Sequence, residues 1–186
     1  MISAKRSDGS RVKVHVLLWR NNNHLLSSDN EGSIYEWDIP RKRASWKLSI
    51  PDIIHTCFAT PCKGDEVYVA SADGKIRRIK DGIVLNSCSP NVTEVTALSV
   101  IEQWLLVGTK DGKLLGLDLT LRATNFQLHC QTGSIIHFSI LDDVKSVMAI
   151  DEFGIASTWN FQRERSTESL PSRAVLLIDV DKQKES

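Results

Sequence analysis

The chain has 186 residues, and its 23 Lys plus Arg are balanced by 23 Asp plus Glu. Hydrophobic residues make up 41% and charged residues 25%, the balance of a folded domain and too apolar for a disordered one. Zero net charge gives no general pull toward nucleic acid or anionic membrane, so neither is an expected partner.

The chain opens Met1-Ile2-Ser3-Ala4-Lys5-Arg6-Ser7-Asp8-Gly9, with no apolar stretch behind the charges, so no secretory signal is read there. No segment approaches the ~20 apolar residues that span a bilayer. Cys57, Cys62, Cys88 and Cys130 are scattered without CxxC spacing and are expected to be reduced thiols in an intracellular protein. In that compartment the sequon Asn91-Val92-Thr93 has no consequence.

The first predicted element is an apolar strand at 12–19, where Val12, Val14, Val16 and Leu18 alternate as on a strand buried on one face. A second strand follows at 25–28. Next come the turn Asn30-Glu31-Gly32, a third strand ending at Trp37-Asp38, and a more polar fourth strand at 44–50. The same order returns at 53–59, 67–71, Asp73-Gly74, a strand ending at Ile79, and 83–89. It returns again at 95–101, 105–109, Asp111-Gly112, Leu117-Asp118 and 123–129. The fourth round is 135–141, 146–150, Phe153-Gly154 and Trp159-Asn160. Enrichment in β-branched and aromatic residues between polar turns makes these strands and not helices.

Gly32, Gly74, Gly112 and Gly154 are spaced 42, 38 and 42 residues apart. A period near 40 is that of propeller blades. Each glycine is expected to supply positive φ in a two-residue hairpin turn, for which Asp-Gly is the strongest short signal. Phe153-Gly154 departs from that pattern, and Asp151 is the expected acid capping its turn. Trp37-Asp38 is a literal WD dipeptide, Trp159-Asn160 a near relative, and Ile79-Lys80 keeps neither residue.

The fold expected is therefore all-β, with four WD-type propeller blades over 1–161 at about 10–50, 53–89, 94–129 and 134–161. Beyond them, 162–186 reads as a polar linker, a short apolar strand at 174–180 and a charged tail. That strand either completes the last blade or pairs with a blade beyond it. Seven blades of ~40 residues need ~280 residues. Four thus read either as blades that close alone, which is rare for WD repeats, or as an incomplete or open propeller whose other blades lie on further sequence or another chain.

Side-chain chemistry points to binding, with no catalytic, metal or cofactor site expected. His55, Cys57 and Cys62 lack the second ligand pair of a structural zinc site. His15, His24, His129 and His137 have no accompanying nucleophile motif, P-loop or GxGxxG, and His137 reads as a core residue. Arg41, Lys42 and Arg43, with Lys75, Arg77 and Arg78, read either as an ordinary solvated surface or as the candidate patch for an acidic protein partner, if adjacent blades bring them to one flank. Tyr35, Trp19, Trp46 and Trp104 sit near strand ends. Trp46 reads either as inter-blade packing or as an exposed anchor.

One resemblance is more specific. Gly32-Ser33-Ile34-Tyr35-Glu36-Trp37-Asp38, the run Asp73–Leu85 and Leu106-Val107-Gly108-Thr109-Lys110-Asp111-Gly112 resemble successive blades of a ciliary WD-repeat family, that of cilia- and flagella-associated protein fifty-seven. The last blade and the 175–184 tail fit in order and spacing. The resemblance covers roughly residues 12–184 and implies the C-terminal blades of the family's second propeller, without its coiled coil. It further implies a scaffold of the motile axoneme and cytoskeleton, docking inner dynein arms on doublet microtubules, with axonemal or microtubule-associated protein partners. The competing expectations are a general cytosolic adaptor that recruits a client protein, or a truncated isoform with no role of its own.

Overall fold

The computed structural model describes residues 13–129, 133–141, 146–160 and 172–176. Val12, Cys130, the linker and the charged tail fall outside them. Four consecutive meanders of four antiparallel strands make up the described residues. The first contains β1 (Val14–Trp19), β2 (His24–Asp29), β3 (Ser33–Asp38) and β4 (Arg43–Ser49). The second contains β5 (His55–Ala59), β6 (Glu66–Ser71), β7 (Ile76–Lys80) and β8 (Ile83–Cys88). The third contains β9 (Val95–Ile101), β10 (Trp104–Thr109), β11 (Lys113–Asp118) and β12 (Thr124–His129). The fourth contains β13 (Ile135–Leu141), β14 (Ser146–Asp151), β15 (Ala156–Asn160) and β16 (Ser172–Leu176). Strand β16 pairs with β15, so the apolar run near the end completes the fourth blade and begins two residues earlier than predicted. No helix long and apolar enough to cross a membrane occurs among the described residues.

The blades stack through their innermost strands: β1 on β5, β5 on β9, and β9 on β13. Successive side chains on a strand point to opposite faces. Each blade therefore has a leading face toward the blade before it and a trailing face toward the blade after it. In the first seam, Leu26 and Ile34 of the first blade's trailing face meet Phe58, Val67, Val69 and Ile79. In the second, Tyr68, Ala70 and Ile76 meet Leu105, Val107, Leu115 and Leu117. In the third, Leu106, Leu114 and Phe126 meet Phe138, Val147, Ala149 and Trp159. Central strands buried on both faces read as continuous apolar runs, as in Val67-Tyr68-Val69-Ala70. Each fully buried Leu or Ile contributes roughly 1.5–3 kcal/mol.

The hairpin between second and third strands differs from expectation. It holds three residues, not two. In the fourth blade, Gly154 N–H donates to Asp151 C=O at 3.0 Å, and Asp151 N–H donates to Ile155 C=O at 3.0 Å. This is a type I turn closed by a glycine in the left-handed region, with φ of 81°, 75°, 73° and 79° at Gly32, Gly74, Gly112 and Gly154. Asp73 and Asp111 thus occupy the ordinary right-handed half of the turn, and only the glycine needs positive φ. Asp151 Oδ1 accepts from the backbone N–H of Phe153 at 3.0 Å and of Ile155 at 2.8 Å, the capping read from the sequence.

Candidate functional site

The turns between second and third strands consume much of the polar chemistry. Asp29 Oδ1 accepts from the N–H of Glu31 and of Ser33. In the second blade, Asp73 binds Arg77 through both carboxylate oxygens, at 3.1 and 2.5 Å. Arg77 Nη1 also donates to Ser71 Oγ at 3.1 Å. Ser71 Oγ lies 2.9 Å from His55 Nδ1, and His55 Nε2 lies 3.3 Å from Gly32 C=O. A carbonyl only accepts, so Nε2 carries the proton and Nδ1 accepts from Ser71. The result is a relay from Asp73 through Arg77, Ser71 and His55 to the first blade. Burial holds the His55 pKa below its ordinary value, and Arg77 holds the Asp73 carboxyl below its own.

This placement commits both nitrogens of His55 to hydrogen bonds. Cys57 is only partly exposed, with its thiol pushed up to about 12 by burial, and Cys62 is exposed. Among the described residues no three His, Cys, Asp or Glu side chains converge as a metal site. His137 is exposed, contrary to its core assignment. It lies on the fourth blade's trailing face, where the described residues provide no further blade to cover it.

The six basic residues do not meet. Arg41, Lys42 and Arg43 follow the end of β3, whereas Lys75 precedes the start of β7, so they lie at opposite ends of neighbouring blades. Arg41 pairs with Asp38 at 2.9 Å, and Lys42 turns the chain at φ 52°. Arg77 is buried in the relay, and Arg78 holds Glu66 through two bonds at 2.9 and 2.5 Å, keeping the Glu66 carboxyl below its usual range. Arg43 and Lys75 are exposed.

The open surfaces are apolar. On the first blade's leading face, Leu17 is 61% and Trp19 59% exposed. A pocket of about 190 Å³ lies there, lined by Leu17, Leu25, Ser27, Tyr35 and Trp37 among others. Its wall is fixed by Tyr35 stacking on Trp37 at 5.2 Å and by Trp37 Nε1 donating to Ser27 Oγ at 2.8 Å. Lys47 sits over the Tyr35 ring at 5.2 Å. The second open surface is β8, the outer edge of its sheet, with Ile83 65% and Leu85 48% exposed. Trp46 is half-buried and packs on the first seam, the inter-blade role of its two readings. The alternation in β1 misses one half of the surface: Val16 and Leu18 pack on the first seam while Val14 and Leu17 face outward.

No family model and no curated protein matches the chain. Solved structures do. A chain of the mitotic checkpoint complex is similar at 14% identity and TM-score 0.70, over 84% of this chain and 53% of that chain. U3-55K is similar at 12% identity and TM-score 0.73, over 91% of this chain and 53% of that chain. The computationally designed Ika4 protein is similar at 17% identity and TM-score 0.69, over 87% of this chain and 98% of that chain. The first two are WD40-type β-propellers, and the likeness shows a propeller fold for this chain. The chain spans about half the length of those two and nearly all of the third.

Proposed function

We propose that this chain is a non-catalytic protein-binding scaffold module that works in the motile axoneme, docking or assembling inner dynein arm complexes. The observation that carries the binding part is the exposed apolar surface on β1 and β8, where a lone soluble domain places charge. The polar groups best suited to chemistry, His55, Asp73, Arg77 and Glu66, are spent on bonds inside the second blade and, through His55, on one bond to the first. The axonemal part is supported by the resemblance of the Gly32–Asp38, Asp73–Leu85 and Leu106–Gly112 segments to a ciliary WD-repeat family. Tagged protein expressed in ciliated cells is expected in the detergent-resistant axonemal fraction. Its complete release with the soluble fraction would sink the axonemal reading. A second reading, a general adaptor outside the cilium, is favoured by a solved neighbour that sits in a mitotic checkpoint complex. Stable recovery with one soluble client in non-ciliated cells would decide for it.

A further inference from the structure

We propose that the open leading face of the first blade binds the trailing face of the fourth blade of a second copy, so that two chains close one ring of eight blades. This concerns self-association and does not rest on the axonemal reading.

The three seams inside the chain define what such a face accepts. Leu17, Phe58, Leu98 and Phe138 hold one register position, paired with Ser27, Val69, Val107 and Ala149 on the neighbouring strand. In the first seam Phe58 shares a core with Leu26, in the second Leu98 with Tyr68, and in the third Phe138 with Leu106. The fourth member of the first series is Leu17, exposed on the first blade. The fourth member of the second series is Met148, which pairs with Ser139 as Leu106 pairs with Ser99. Leu26, Tyr68 and Leu106 are fully buried, whereas Met148 is half-exposed. Each end of the array therefore carries one half of the same contact. The pocket of about 190 Å³ beside Leu17 is the cavity that a Met148 side chain fills.

The bulged residue of each innermost strand extends the match. Thr56 and Thr96 donate from Oγ1 to the carbonyls of Val95 and Ile135 across the second and third seams. In the fourth blade that position is Ile136, 55% exposed, which replaces the hydroxyl with apolar surface. Within one chain the two faces stay apart: β13 and β1 lack the packing that joins β1 to β5, β5 to β9 and β9 to β13. The four blades form an arc that covers about half the length of two longer propeller chains. Two such arcs give eight blades, within the four to eight at which propellers close. Zero net charge puts no long-range repulsion between the copies.

The test is the solution mass of the full 186-residue chain at micromolar concentration, by light scattering behind size exclusion and by sedimentation. The expected mass is about twice 20.8 kDa. Leu17→Lys and Met148→Glu, each on exposed or half-exposed positions, are expected to give monomers with unchanged strand circular dichroism. The two combined in one chain place a Lys opposite a Glu at both seams, and the dimer is expected to return and to weaken as salt rises. A cooperatively melting monomer from the unsubstituted chain overturns the proposal. So does a dimer that survives either single substitution, or growth beyond two chains with concentration. None of these outcomes touches the scaffold reading, which is scored by retention in the axoneme.

Discussion

At the scale of single residues, four glycines that look alike in the sequence hold different positions. A Cβ on Gly74 meets nothing within 4 Å, whereas one on Gly32 falls 1.9 Å from the Ile50 carbonyl oxygen. Both glycines are left-handed. Gly74→Ala is expected to cost about 1–2 kcal/mol, the conformational penalty alone. Gly32→Ala adds a backbone clash and is expected to cost several kcal/mol more, with urea midpoints of the two variants as the check. His55 gives a pH-dependent case. Its pKa is lowered from 6.5 in the folded chain by burial, so the unfolded chain binds the proton more readily. Stability is full above about pH 6.5 and is lost as pH falls toward the lowered native value, before Asp73 and Glu66, held below the usual carboxylate range, take up protons. His55→Ala should cost roughly 1–3 kcal/mol and remove that slope from a plot of stability against pH. The glycine turns were legible because positive φ leaves a compositional mark. The His55 relay was not, because Ser71, Arg77 and the Gly32 carbonyl meet only once two blades are packed.

At the scale of elements, strand order and pairing were legible nearly throughout, since each strand carries its own apolar run and each hairpin its own polar turn. The β2–β3 type of hairpin is one residue longer than the Asp-Gly pattern suggests. Asp-Gly serves both a two-residue turn and the glycine-closed three-residue turn, and only the hydrogen bond from Gly to the residue three before it tells them apart. The fourth strands were the least legible. Ile83–Cys88 begins with three consecutive apolar residues, a pattern that a buried strand and an exposed edge share, and it proves to be the edge. Such an edge, with free backbone N–H and C=O groups beside apolar side chains, templates further strands. Replacing Val84 with Lys is expected to slow aggregation on warming, followed by light scattering, while changing the unfolding free energy by no more than about 0.5 kcal/mol. An equal aggregation rate in the variant would show that association starts elsewhere on the molecule.

At the scale of the whole molecule, the chain is a short linear array. Each blade touches only its neighbours, so stability is the sum of what each blade contributes and what each seam contributes. The second and third blades each have two seams, and the first and fourth have one among the described residues. Periodicity fixes how many blades there are. It leaves unsaid which apolar face lacks a cover, since Leu17 and Phe58 look equivalent along the chain and differ only in whether another blade lies against them. Amide hydrogen exchange resolves this difference, because protection follows the free energy of local opening. At high dilution, β5, β6, β9 and β10 should exchange slowest, and β1, β2, β13 and β14 should exchange faster by the worth of one missing seam. Each buried large side chain lost from such a seam is worth roughly 1.5–3 kcal/mol, or at least tenfold in rate. If the two end faces seal each other between copies, raising the protein concentration must slow exchange in β1, β2, β13 and β14 together while β5 and β9 change little. Slowing in β1 and β2 alone would instead mean that the first blade pairs with itself across a two-fold axis. In that case the two faces opposed across the seam would be identical, both carrying Leu17 and Trp19, and Met148 would stay as accessible in the assembly as in the single chain.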